Sequence, residues 1–230
     1  MIKNRKKTLL KVFMAILTVC ILWHTGNPLN WLAARIKIAE HLEQNYGEGY
    51  TFDCSYMWFG RTKGYSGKAN KTESKDDNFH VYYIDGEVSD NRKIYVTSGF
   101  NTQYRINNEY KKIVKPVLEK VNGLLIHDAN FFNMPEEMLI IDKEYDILSI
   151  AAEYGTLVLS FEKTDGTIAE YAAKLLEIKD VCDKNKIPFK YIDLDAVDES
   201  GSLSDFSYDG IPYNEIYPEN LENRLYLKEF

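Results

Sequence analysis

The sequence predicts an α+β fold: an N-terminal transmembrane helix followed by two small helix-on-sheet α+β units. Three observations predict it. A basic run leads directly into an apolar stretch at the start of the chain. Helical spacing of apolar residues recurs over 29–46 and again over 168–182. Between and after these lie short alternating runs rich in tyrosine, bounded by Gly, Asn and Asp. The 17 tyrosines suit half-buried strands and wet binding surfaces alike, because the ring is apolar and the hydroxyl stays hydrated. With 45% hydrophobic and 27% charged residues the chain can bury a core, which argues against disorder over its whole length.

The N-terminal segment comes first. Lys3, Arg5, Lys6, Lys7 and Lys11 place five positive charges and no acid in the first eleven residues. With those five set aside, the net charge of −7 becomes −12 for the remainder. An acidic body repels phosphate backbones, so nucleic acid is not an expected partner. Val12 to Trp23 is apolar apart from Thr18. From Thr8 to Gly26 the segment would span roughly 28 Å as a helix, against a hydrocarbon core of roughly 30 Å. Lys11 can snorkel at one end, and Trp23 and Trp31 flank the other. The charge bias places the amino terminus in the cytoplasm and the body outside.

Competing readings of this segment are weaker in specific ways. A cleaved signal peptide needs small residues at −3 and −1 of the cut, and His24-Thr25-Gly26 and Trp31-Leu32-Ala33-Ala34 fit poorly. A lipidated cysteine needs a small residue before it, and Cys20 follows Val19. A buried core helix would leave the basic prefix unexplained. The expected layout is therefore a cytoplasmic basic tail over 1–7, a membrane anchor over 8–26, a first α+β unit over 27–106 and a second over 107–230.

Asn27-Pro28 reads as a helix start, with asparagine at the N-cap and proline at the first helical position. Leu32, Ile36, Ala39, Leu42 and Tyr46 recur at helical spacing before Gly47 closes the run. This stripe is expected to pack on the following sheet, the other option being the bilayer surface, with Arg35 and Lys37 on the polar side. Strands are expected over Tyr50–Phe59, Tyr65–Asn70 and Phe79–Ile84. Asp85-Gly86 is expected as a turn and Lys93–Thr97 as a further strand. Lys71 to Asn78 reads as a polar loop.

The second unit opens on a helix from about Asn108 to Val121, which Pro116 should kink or split. A strand over Leu124–Phe131 and a short helix over Asp146–Tyr154 with a Gly155 stop come next. Thr156–Phe161 reads as a central strand. Thr167 to Glu170 forms a capping box for a helix carrying Ile168, Tyr171, Ala172, Leu175, Ile178 and Cys182. Phe189–Leu194 returns as a strand, so this span should form one right-handed crossover. Asp195 to Gly210 reads as an acidic loop with room for one strand.

This arrangement resembles the YfjL-like family of uncharacterised membrane-anchored proteins of Gram-positive bacteria. Asn27-Pro28 with the helix ending near Tyr46 carries the resemblance, together with the strand start at Tyr154-Gly155, the TIAEYAAKLLEIK helix and the closing IPYNEIYPENL over Ile211 to Leu221. The resemblance implies a fold and a membrane location. It implies no activity and no catalytic residue.

Candidate chemistry is sparse, and the sequence assigns no catalytic, cofactor-binding or metal residue. Cys20 lies in the apolar segment, which leaves Cys54 and Cys182 as a disulfide, as buried free thiols or as reactive ones. His24, His41, His80 and His127 are too far apart in sequence, and too far from cysteine, for a zinc motif. Ser98 and Ser200 precede glycines without forming a nucleophile elbow. Asp193, Asp195, Asp198, Glu199 and Asp205 cluster near Gly201, yet Val197 stands where a calcium loop needs a ligand, and a solvated acidic loop is the expected reading. Gly60, Gly64 and Gly67 lack phosphate-loop spacing. Met57, Trp58 and Phe59 form an aromatic run that is either core or an exposed binding edge. The expected function is a membrane-anchored extracytoplasmic binding or interaction module, with tyrosine-rich strands as its contact surface. A cell-envelope hydrolase and an accessory subunit of a membrane complex are the alternatives.

Overall fold

The structure is a computed structural model that describes residues 10–20, 26–59, 62–162, 168–197, 203–217 and 221. It is mixed α+β and divides into two compact units, Met1–Asn101 and Thr102–Phe230. Helix α1 covers residues 10–20, and Leu10, Phe13, Ile16 and Val19 are all more than half exposed. Among the described residues no helix is long and apolar enough to cross a membrane. The expected transmembrane helix over 8–26 is therefore not shown; its residues 8, 9 and 21–25 lie outside the described ones.

In the first unit, α2 (Pro28–Tyr46) starts as its sequence dictates. The Asn27 side chain accepts from the Leu29 N–H at 2.9 Å, and Gly47, at φ 79°, closes the helix. The face it buries overlaps the expected stripe at Leu42 and Tyr46 but is rotated toward Ala34 and Ile38. Ala34, Ile38 and Leu42 are buried, whereas Leu32, Ile36 and Ala39 are exposed. The helix carries apolar residues on opposite faces, so periodicity alone cannot choose between them. Contact with the sheet selects the face on which Trp31 donates from Nε1 to the Cys54 carbonyl at 2.9 Å. Ile38 and Leu42 share their core with Ala69, Phe79, Val81 and Val96.

The sheet is antiparallel. β1 (Tyr50–Phe52) and β2 (Ser55–Phe59) pair successively with β3 (Thr62–Lys71), followed by β4 (Asn78–Ile84) and β5 (Glu87–Asp90). The single strand expected over Tyr50–Phe59 breaks at Asp53-Cys54, where the Asp53 carboxylate accepts the Lys68 N–H at 2.5 Å. Asp85 and Gly86, both at positive φ, make the expected turn, and because it is so tight the partner strand resumes at once as β5. Lys93–Thr97 is a π-helical turn, not a strand. Asp90 Oδ1 accepts the Arg92 N–H, and the Asn91 carbonyl accepts from Ile94 and Tyr95, so local capping overrides the alternating pattern.

Helix α3 (Phe100–Leu118) begins well before the expected Asn108 and runs unbroken through Pro116. Its polar opening residues are spent as donors. Asn101 Nδ2 reaches the Asp76 and Asn78 carbonyls, and Gln103 Nε2 reaches that of Phe131. Pro116 falls in the last turn and costs the helix the one bond that an N–H there would have made to the Lys112 carbonyl, with only two helical residues left to follow it. The second sheet has the order β6 (Leu124–Asn130), β7 (Thr156–Glu162), β8 (Tyr191–Val197), β9 (Leu203–Pro212). β7 and β8 are parallel and joined through α5 (Ile168–Lys184); the other two pairings are antiparallel. β9 is the one strand for which the expected acidic loop over 195–210 leaves room, and it takes up half of that stretch. Leu157 and Leu159 of β7 and Ile192 and Leu194 of β8 meet Ile106, Tyr110 and Val114 of α3, Ala151 of α4 (Ile147–Tyr154) and Leu175 and Ile178 of α5 in one core. Thr167 of the expected capping box lies outside the described residues.

Candidate functional site

Among the described residues, one constellation of polar side chains in each unit is developed enough to weigh as a site. In the first unit His41 Nε2 lies 2.6 Å from Asp90 Oδ2, which also accepts from Tyr46 Oη at 2.8 Å. Asn45 Nδ2 lies 3.2 Å from His41 Nδ1, which is satisfied when Nε2 carries the proton toward Asp90. Beside them Arg92 binds Asp77 through Nε and one terminal nitrogen at 3.2 and 2.8 Å, and Tyr50 Oη donates to Asp77 at 2.6 Å. Both ring nitrogens of His41 are engaged within the network. This network joins the end of α2 to β1, β5 and the loop before β4, a structural clamp.

Burial opposes ionisation of Asp90, but bonds from His41, the Arg92 N–H and Tyr46 outweigh it and hold its pKa below the ordinary 3.8. Asp183 and Asp146 are lowered too, chiefly by hydrogen bonds from Tyr213 and Ser149 respectively. A depressed carboxylate contributes stability that is complete above its unfolded value and withdrawn as pH falls through the folded one. Unfolding midpoints measured across acid pH should therefore hold steady above about pH 4 and decline below it. Asp90→Asn should flatten part of that decline. An unchanged acid slope in Asp90→Asn would remove Asp90 from this account.

The second constellation lines a groove of about 610 Å³ in the second unit. Three stretches build it: the start of α4, the end of α5 with the link into β8, and the turn after β9. Asp146 caps α4, accepting the Ser149 N–H at 3.2 Å and its hydroxyl at 2.7 Å. Ile187 and Phe189 are buried and form an apolar floor with Leu148 and Pro188. Tyr213 packs edge-on against Phe189 at 5.0 Å and donates to Asp183. Lys179 Nζ donates to Asp183 at 3.0 Å and to Tyr213 Oη at 3.1 Å, 4.2 Å from the ring centroid. Its pKa is raised, first by the bond to Tyr213.

This geometry suits holding an apolar group under a polar rim. Cys182 borders the groove but burial pushes its thiol up to about 12, so it stays protonated and unreactive near neutral pH. Asp183 is already tied to Tyr213 and Lys179. Such an apolar floor with a few convergent polar groups is the general form of a ligand pocket.

The residues singled out in the sequence are dispersed. Cys54 and Cys182 are free thiols. The Ser98 hydroxyl donates back to the Ile94 carbonyl within its own turn. His80 lies on β4, exposed, its ring stacked 6.4 Å from that of Tyr82. His24, Ser200, Gly60, and the side chains of His127 and Phe59 lie outside the described residues. Of the acidic cluster, Asp193 accepts the Gly210 N–H at 2.6 Å; Asp198, Glu199 and the side chains of Asp195 and Asp205 lie outside the described residues. Among the described residues no group of three His, Cys, Asp or Glu could hold a metal. Gly64 and Gly67 are strand residues of β3. Trp58 is exposed on β2. Sequence reasoning misses the groove residues because each looks ordinary in its own segment; the nearest signal is Lys186-Ile187-Pro188, which at sequence level marks only the link between a helix and a strand.

Fold and groove together define a two-unit α+β protein whose second unit is a helix-covered mixed sheet with one parallel crossover. The chain belongs to the YfjL-like family: residues 109–226, just over half of it, match the family model of the YfjL-like C-terminal domain. The matched span contains the whole groove. No curated protein and no solved structure matched the chain.

Proposed function

We propose that the chain is a membrane-anchored extracytoplasmic binding module, held by residues 8–26 with its amino terminus in the cytoplasm, whose second unit takes an apolar segment of a partner in its groove. The groove carries this reading: an apolar floor of Ile187 and Phe189 beneath a rim of Ser149, Lys186 and Tyr213. The anchor is supported by the basic prefix and by an α1 that turns apolar side chains outward with nothing in water to favour that exposure. The strand tyrosines are a poorer contact surface than expected, because Tyr65 is buried and the Tyr50 hydroxyl is bound to Asp77. A hydrolase with Cys182 as its nucleophile is disfavoured by the protonated thiol.

Ala152 is exposed on the groove wall, so Ala152→Trp should fill the groove without disturbing the core. The full-length protein in mild detergent should bind a subset of apolar peptides on an array, and Ala152→Trp should weaken that binding about tenfold or more, equivalent to about 1.4 kcal/mol. Binding that survives Ala152→Trp unchanged places the contact elsewhere. Cleavage of envelope polymers by the purified protein would favour the hydrolase.

A further inference from the structure

We propose that the first unit docks on the bilayer interface through an end formed by the first turns of α2 and the β2–β3 hairpin; this rests on the anchor reading above. Two elements present the chemistry. On α2, Leu29, Leu32 and Ile36 are 76%, 51% and 50% exposed, on the face opposite the buried Ala34, Ile38 and Leu42. Further along that same face stand Glu40 and Glu43, both exposed, so the apolar character is confined to the end nearest the anchor. On the hairpin, Trp58 is 59% exposed and pairs across the strands with Lys63, whose Nζ lies 5.6 Å from the indole centroid. Tryptophan and lysine are the side chains that settle at headgroup level.

The two elements converge where the chain arrives from the anchor. Tyr65 Oη donates to the Asn27 carbonyl at 3.0 Å. Gly26 lies so close that a Cβ there would stand 2.7 Å from Tyr65 Oη and 2.8 Å from the Tyr56 ring. The Tyr56–Tyr65 pair is two positions from Trp58–Lys63, about 7 Å along the strand. Only four peptide steps separate Trp23, the last residue of the apolar stretch, from Asn27, a reach of about 14 Å at most. The headgroup layer on each face of a bilayer is itself roughly 5–8 Å thick. The covalent tether therefore holds this patch within reach of the lipid, and its chemistry matches the interface it meets.

The test uses the full-length chain in vesicles of phosphatidylcholine and phosphatidylglycerol, some carrying bromine near the glycerol end of the acyl chain. The Trp58 signal is the difference between the parent and Trp58→Phe. Roughly half of that emission should be quenched by the bromolipid, as for an indole at headgroup depth. A variant with Leu29→Ser, Leu32→Ser and Ile36→Ser, all at exposed positions, should lose the quenching while still resisting alkaline extraction. Trp58 left unquenched in a chain that resists extraction overturns the docking and leaves the anchor standing. Trp58 unquenched yet shielded from aqueous iodide only at high protein density also overturns it, by assigning the patch to a second copy. A chain stripped by alkali whose Trp58 had been quenched removes the anchor and keeps the docking as peripheral.

Discussion

Replacing Asp77 with alanine should cost the first unit about 3–5 kcal/mol, the range for removing one partner of a buried ion pair. The Asp77 carboxylate is nearly buried and receives two bonds from Arg92 and one from Tyr50, at 2.6 to 3.2 Å. Without it the guanidinium stays packed over the Tyr46 ring, 4.8 Å from its centroid, with its charge unanswered. Arg92 is held strongly protonated, first by the bond to Asp77, so it cannot escape by losing its proton. The Tyr50 hydroxyl, pushed up to about 12 by burial and then by Asp77, loses its acceptor as well. Denaturant unfolding of the full-length protein, followed by far-UV circular dichroism, should show the first transition moved to lower denaturant. Tyr50→Phe should move it by only about 1 kcal/mol, the worth of one hydrogen bond. A loss below about 1 kcal/mol in Asp77→Ala would mean the pair is solvent-screened and not part of the clamp.

Gly67→Ala should be nearly as damaging for a steric reason. Gly67 sits on β3 opposite the break between β1 and β2, and a Cβ there would lie 1.8 Å from the Asp53 carbonyl oxygen and 2.8 Å from its carbon. These are backbone atoms, so no rotamer relieves the overlap. Either the Asp53 bond to the Lys68 N–H breaks or the β1–β2 junction moves away from β3. Overpacking of this kind costs about 3 kcal/mol or more when backbone must shift. Unfolding of Gly67→Ala under the same conditions measures it, with Gly86→Ala as a comparison, since its strain comes from φ 91° and not from a clash. A Gly67→Ala protein as stable as the parent would show that the Asp53-Cys54 break is soft.

What the sequence makes legible is local. Asn27-Pro28, Asp85-Gly86 and the Leu175, Ile178, Cys182 spacing each carry their structural meaning within a few residues, and the structure places a helix start, a tight turn and a buried helix face there. The failures are tertiary choices. Periodicity finds two apolar faces on α2 but cannot say that the sheet takes the one with Ala34 and Ile38. Alternation over Lys93–Thr97 reads as strand until the caps from Asp90 and Asn91 are seen. The polar start of α3 gives no apolar stripe from which to read a helix before Asn108, because its side chains serve backbone carbonyls of other elements. The groove was not legible at all. Ser149, Lys186 and Tyr213 come from separate segments, and only the placement of α4, α5 and the β9 turn brings them together.

The central claim, a groove-bearing body held outside the cell membrane, is tested most directly by a cysteine at an exposed position of α5. Lys184 has a side chain 71% exposed and only a surface partner in Asp180, so Lys184→Cys leaves the fold unchanged. Intact cells expressing this variant are treated with a membrane-impermeant maleimide, with the parent chain as background for Cys54 and Cys182. Labelling of Lys184→Cys in unbroken cells is the predicted result. Labelling that appears only after the membrane is permeabilised would contradict the account.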